Sequence, residues 1–372
     1  MSGNKSSYRR AVYLVPVLAV ITLVALAAFV MYHPQIQQKE QKEAYIIVQD
    51  MVGRTVNISS HVHRVVTTVP DTLRLVVMLN ATDMVVGVTS YVDMGYANKL
   101  EDCLAHPELL NTSIGRVGAG SEIDIEKIAE IKPDVVFLYA PYSYLAEEIE
   151  QKAKVPVVCV SAGQSPEEFY KALRLVAKVL GKESRAEQII AYFQAKILDV
   201  KNRVSGIDHP KRVYLADWAY RYGVGWTTST YWPLEIAGGV NVAANMSLNA
   251  TYFEVSKEQI IQWNPDVIFI HGYKGRSSAD SIMNDPALRT VNAVRNGKVY
   301  GVFGPYIGYD PKTWIVDLYH IGKTLYPEKF SDVDIVKVGE EVFRFFYGNI
   351  GPEVFHQVLK NRRVYLSPEI TP

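Results

Sequence analysis

Apolar and polar positions along this chain keep two rhythms, one of period two and one of period 3.6, and they take turns. From residue 44 onward, AYIIVQDMVGRTVNI alternates around Gly53 and reads as a β-hairpin. RVVTTV at 64–69 predicts a strand, DTLRLVVMLNA a helix, MVVGVTS a strand, and PVVCVSA at 156–162 the strand that closes a first lobe. Between the last two lies EKIAEIKPDVVF at 126–137, a short amphipathic helix handed by a Pro-Asp turn to a β-branched run. The same unit returns as EQIIQWNPDVIF at 258–269. A second lobe follows the same theme: strands at RVYLADWA and at KVYGVFG (298–304), with helices at 231–238, 311–325 and 338–360. Strands alternating with helices predict parallel sheets covered on both faces.

Ser165-Pro166-Glu167-Glu168 supplies an N-cap, a proline for the first helical turn and a capping-box glutamate. It launches helical periodicity to about Val204, divided at Gly181. A segment of about 20 residues spans about 30 Å, enough to run along both lobes as a rigid spine. At 372 residues the chain exceeds one ordinary core. The predicted fold is therefore α/β, with two Rossmann-like lobes over 44–164 and 206–372 joined by a spine over 165–205. A ligand belongs in the crevice at the carboxyl ends of the strands.

The first 43 residues differ in kind. Ala11 to Met31 carries no charge, long enough to cross roughly 30 Å of hydrocarbon as a helix. The run is too long and lacks the small-residue site of a cleaved signal, so it reads as an uncleaved anchor. Lys5, Arg9 and Arg10 on the short side put residues 1–10 in the cytoplasm; 32–43 form a polar tether and the rest lies outside the cell membrane. No cysteine follows closely, which argues against a lipoprotein. Sequons at Asn57, Asn80, Asn111, Asn245 and Asn249 fit an extracellular glycoprotein.

Charge removes some function classes. The 39 basic and 39 acidic residues cancel and form no long run, so no nucleic-acid surface is expected. Cys103 and Cys159 have no metal-cluster spacing and read as two buried thiols. GxSxG and GxGxxG are absent, and GRVGAG at 115–120 does not follow a strand closely. Neither an enzyme nor a resident cofactor or metal is expected.

IIVQDMVGRTVNI, RVVTTVP, MVVGVTS, GRVGAGSEIDIEKIAEIKPDVVF, the spine, IAGGVNVA and FEVSKEQIIQWNPDVIFI occur in an order that resembles the substrate-binding proteins of ABC importers for ferric siderophores, haem and cobalamin, over about 44–360. The resemblance implies a ligand held between the lobes. It also implies partners: a permease dimer with its cytoplasmic ATPase, docked by one glutamate from each lobe. By position these are Glu126 and Glu258, with Asp124 and Ser256 as N-caps of their helices. An exposed acid in a first turn also merely complements the helix dipole; the duplicated context favours docking.

The loops facing the expected crevice are aromatic. The first lobe offers Tyr91, Tyr139, Tyr142 and Tyr144. The second offers Trp218, Tyr220, Arg221, Tyr222 and Trp226, then His271, Tyr273 and Arg276, then Tyr306 and Tyr309. Flat rings with polar tips suit a large chelate, arginines suit its anionic groups, and Arg116 lies near the first-lobe mouth. His271 is the candidate direct donor to iron. The expected ligand is a ferric siderophore, with cobalamin next and haem or an oxyanion behind. A membrane-anchored ligand sensor without transport is the other reading.

Overall fold

The computed structural model describes residues 22–25, 45–93, 100–246, 250–271, 275–304, 308–362 and 366. The expected anchor and tether lie outside these residues, apart from the helical stretch Thr22–Ala25. Among the described residues no helix is long and apolar enough to cross a membrane.

The hairpin forms as the alternation predicts, with Tyr45–Gln49 antiparallel to Thr55–Ser59. The first lobe's sheet is wholly parallel, in the order Gly115–Arg116, Val85–Val88, Val65–Thr67, Val135–Tyr139, Val157–Val160. The second lobe departs from an all-parallel sheet. Arg212–Asp217, Val267–His271, Val299–Gly301 and Val240–Asn241 run parallel, but Trp226–Thr228 and Tyr252–Glu254 add an antiparallel edge. Both added strands are three residues long and sit among Gly, Thr and Ser. Such segments carry too few alternations for the pattern to register.

The repeated Pro-Asp unit has a structural job. In each copy the helix ends on a left-handed residue, Lys132 (φ 51°) or Asn264 (φ 46°), just before the proline. The aspartate then reaches back to the neighbouring strand. Asp134 accepts the Arg64 amide at 2.8 Å and Asp266 accepts the Arg212 amide at 3.0 Å. Each aspartate also donates its own amide to the carbonyl of the same arginine, at 2.8 Å in both lobes. Both lobes thus fix the register of their two central strands by the same pair of bonds.

The spine is two helices, Pro166–Leu180 and Glu183–Arg203, parted where Gly181 adopts φ 64°. The Ser165 hydroxyl accepts the Glu168 amide as predicted, while the Glu168 carboxylate accepts the Gln164 amide. Arg185 donates to the carbonyls of Met78 and Phe345, which fastens the spine to the first-lobe helix Pro70–Met78 and to the C-terminal helices together. Where one helix was expected over 338–360 there are two, Ile335–Tyr347 and Gly351–Arg362. Gly348 at φ 61° breaks the run, a conformation that side chains with a Cβ avoid.

One large apolar core contains residues of both lobes and the spine, including Phe137, Phe169, Phe193, Phe303, Trp314 and Phe343, and two smaller cores fill the outer layers of the lobes. Cys103 and Cys159 are both free and buried, and they lie in different cores. Asn57, Asn80, Asn111 and Asn245 are exposed; Asn249 lies outside the described residues.

Candidate ligand crevice between the lobes

Strand ends of the two lobes, at Tyr139 and Asp217, come near the Tyr309 loop, and a small cavity lies beside it. It is lined by Gln164 from the start of the spine and, from the second lobe, by Asp217, Thr228, Thr230, Tyr231, Trp232, Tyr252 and Tyr309, over a floor of Leu215 and Trp314. Its water-accessible space is about 30 Å³, room for about two waters or one small ion.

Three side chains from distant parts of the chain meet there. Gln164 Nε2 donates to the Tyr309 hydroxyl at 2.8 Å, and the Tyr252 hydroxyl lies 3.1 Å from the same oxygen. Burial raises the pKa of both phenols; for Tyr252 the neighbouring Tyr309 and Asp217 add to it. The phenols therefore stay protonated and serve as donors. Trp232 presses its ring edge-on to Trp314 at 5.3 Å, and its buried Nε1–H meets no acceptor among the described residues. An unmet buried donor costs about 1–3 kcal/mol, which a ligand oxygen would offset. The lining is rich in hydroxyl and N–H donors and holds one carboxylate, Asp217.

The expected first-lobe tyrosines do not line this cavity. Tyr139 packs edge-on to Tyr142 at 5.4 Å. Burial raises its phenol, with Asp71 and Tyr309 as the next contributors, which places Tyr139 towards the second-lobe loop. The hydroxyls of Tyr91 and Tyr142 converge on Gly120, where an added Cβ would lie 3.3 Å and 3.6 Å from them. Tyr144 is 69% exposed.

The remaining predicted residues divide. Arg221, Tyr222 and Trp226 come together as an outer stack, with rings 5.1 Å apart and the guanidinium 5.3 Å from the Tyr222 ring, and they do not line the cavity. Trp218 adopts φ 48° at the end of its strand and likewise stays out of the cavity lining. Arg276 is exposed beside Asp280 at 3.3 Å. Arg116 is held by Asp93 at 2.6 Å and by loop carbonyls, so it serves its own loop rather than the mouth. His271 ends its strand in register with Asp217. Its side chain and that of Tyr220 lie outside the description, as do Tyr273 and Tyr306 altogether.

Sequence reasoning missed Gln164, Thr230, Trp232 and Tyr252. No local pattern marks them, because they come from separate segments of the second lobe and from the start of the spine, which only the folded chain brings together. The two helices expected to carry docking glutamates are capped alike. Asp124 accepts the Lys127 amide at 2.8 Å, Ser256 accepts the Gln259 amide at 3.1 Å, and Glu126 and Glu258 stand exposed at equivalent places in these first turns.

Comparison with known proteins follows this geometry. The profile of a family described as periplasmic binding protein matches residues 65–303. Over 332 residues the chain is 29% identical to the molybdate-binding protein MolA of Haemophilus influenzae, spanning 81% of this chain and 90% of that one. It is 26% identical over 241 residues to the petrobactin-binding protein YclQ of Bacillus subtilis, spanning 63% and 71% of the two. The solved structure of MolA bound to molybdate has the same fold, with a TM-score of 0.69 at 24% identity, covering 81% of this chain and 98% of that one.

Proposed function

The chain belongs to the periplasmic binding protein family, whose members bind cargo for transporters, and we propose that it is the extracytoplasmic component of an ABC importer for a small oxygen-rich anion of the molybdate kind. The observation that carries this reading is the cavity itself. Its space of about 30 Å³ is the size of a small oxyanion, and Tyr252, Tyr309, Thr230, Gln164 and Trp232 surround it with neutral donors. Neutral donors suit an anion that must leave again, since they hold it without a counter-charge to strip. The likeness to a molybdate-binding relative supports the same order.

A ferric siderophore or cobalamin is the second reading. The outer stack of Arg221, Tyr222 and Trp226 favours it, because Tyr222 is 50% exposed and offers a flat face beside a cation. Glu126 and Glu258 dock this component to the permease dimer, and the uncharged stretch from Ala11 to Met31 anchors it in the cell membrane with residues 35–372 outside. Protease added to intact cells then degrades the binding domain, and a full-length survivor refutes that topology.

Titration of the full chain with molybdate, ferric siderophores, haem and cobalamin tests the cargo, read by quenching of Trp232 and Trp314. Submicromolar binding of a chelate with no response to molybdate overturns the order of the two readings.

A further inference from the structure

Helix Pro70–Met78 is buried on every side, and it carries an aspartate and an arginine. Asp71 and Arg74 pair at 3.0 Å and both reach across to the second lobe. Asp71 Oδ1 accepts the amide of Tyr309 at 2.9 Å, and Arg74 Nη1 donates to the Tyr309 carbonyl at 3.3 Å. The residue before it, Gly308 (φ 70°), brings its backbone so close that an added Cβ would overlap the Asp71 carboxylate. The first lobe thus grips, by its backbone, the loop whose phenol lines the cavity.

This grip belongs to a larger cluster. Arg74 also faces Asp102 at 3.6 Å and Glu101 at 4.0 Å on the helix Glu101–Ala105. Lys312, in the first turn of the second-lobe helix Pro311–Leu325, meets Asp310 at 3.0 Å and Asp102 at 3.4 Å. Tyr347 donates to Asp102 at 2.8 Å. Four carboxylates, Asp71, Glu101, Asp102 and Asp310, therefore share a water-excluded space with two cations, Arg74 and Lys312, whose side chains are 0% exposed. Fully ionised, the cluster would carry two uncompensated negative charges where burial makes each expensive. Asp310 Oδ2 meets no hydrogen-bond donor among the described residues. A proton shared with the facing Glu101 would satisfy it and remove one of those charges.

We propose that this inter-lobe cluster is a proton-linked latch in which Asp71 and Arg74 position the Tyr309 loop and the Asp310–Glu101 pair takes up a proton as the loop seats. The proposal rests on the Tyr309 cavity being the cargo site. Every charged neighbour bears on its sign. Burial pushes the Asp310 carboxyl up to about 7, with Glu101 adding to the rise and Lys312 and Arg74 opposing it. Burial pushes Asp71 up to about 6, against the pull of Arg74 and the Tyr309 amide. Burial would lower Arg74 and Lys312, but the carboxylates around them more than offset it and raise both. Cys103 beside the cluster is pushed up to about 12 by burial and then by Asp102 and Glu101, and burial with the same acids raises Tyr347. The folded state thus holds protons that the unfolded chain releases above a pH of about 4, so the latch is tightest in acid and loosens as pH rises from about 4 to about 7.

The test needs no cargo. In the full chain, the melting midpoint should fall by about 5 °C between pH 5 and pH 8. Asp310→Asn mimics the protonated acid and keeps an N-cap residue, and it should flatten that slope. Amide exchange at Tyr309 should become at least tenfold faster, after correction for intrinsic rate, in wild type on raising the pH and in Asp71→Ala, which removes the acceptor, at either pH. A wild-type midpoint or Tyr309 protection that ignores pH, or an Asp310→Asn variant that keeps the full slope, overturns the latch. Molybdate titrated at both pH values separates the two claims. Tighter binding at pH 5 in wild type, and none of that gain in Asp310→Asn, supports coupling to the cargo site. Absence of molybdate binding at both refutes the cargo reading and leaves the stability and exchange results to decide the latch.

Discussion

Gln164 Nε2 lies 2.8 Å from the Tyr309 hydroxyl, so the start of the spine is bonded directly to a cavity-lining loop of the second lobe. The same oxygen lies 3.1 Å from Tyr252. Tyr309 is therefore the hub through which the spine and the second-lobe sheet edge present donors to one point. Truncating Gln164→Ala or removing the hydroxyl with Tyr309→Phe should each weaken molybdate binding by about tenfold, the equivalent of one net hydrogen bond of about 1.4 kcal/mol. Isothermal titration reads the effect, and unaltered affinity in both variants removes the cavity from consideration as the cargo site.

Asp217 is the one carboxylate in the lining and gives a charge-sensitive test. An anion placed beside it is repelled, so Asp217→Asn should tighten molybdate binding several-fold while leaving the fold intact. A cationic cargo would instead be held by that carboxylate. Weaker binding of every anion in Asp217→Asn, together with lost binding of a cationic complex, would reverse the charge assigned to the cargo.

Glu126 and Glu258 follow matched N-caps and are exposed at equivalent positions of the two lobes. The backbone amide of Glu258, and then the Ser256 cap, hold its carboxyl below the usual range, so it stays ionised at any physiological pH. Replacing both with lysine should abolish cargo uptake by cells and leave the Kd of the purified protein unchanged. Uptake that persists in the double variant refutes docking through these residues, and a changed Kd assigns them to the crevice.

Relative motion of the lobes should be small. The spine is fastened to both sides, through Arg185 to Met78 and Phe345 and through Arg203 to Asp332 at 2.6 Å, and one apolar core runs across the two lobes. Shearing that core would break packed contacts that a few hydrogen bonds to a ligand do not replace. X-ray scattering curves with and without molybdate should overlay; a marked compaction on binding would show that the spine bends.

The amino-acid sequence by itself determined the two lobes, their shared Pro-Asp unit, the caps at Asp124, Ser256 and Ser165, and the break at Gly181. Each of these is written within a few residues. A cap needs one side-chain oxygen and an amide three positions on, a left-handed turn needs a residue that tolerates it, and a strand needs a β-branched run. Backbone geometry then forces the outcome wherever the segment is placed.

The tertiary structure alone decided which tyrosines line the cavity and where the buried charges meet. Tyr309 and Tyr252 meet Gln164 only because the second lobe folds against the start of the spine, while Tyr222 and Trp226, equally aromatic in sequence, lie outside the cavity lining. The DTLR stretch reads as the start of a helix, and nothing in its periodicity says that Asp71 and Arg74 will be sealed against Asp310 and Lys312. Periodicity reports which face of an element is apolar. It is silent on which other element will cover the opposite face, and a charge buried there is tolerated only when packing brings its partners from elsewhere in the chain.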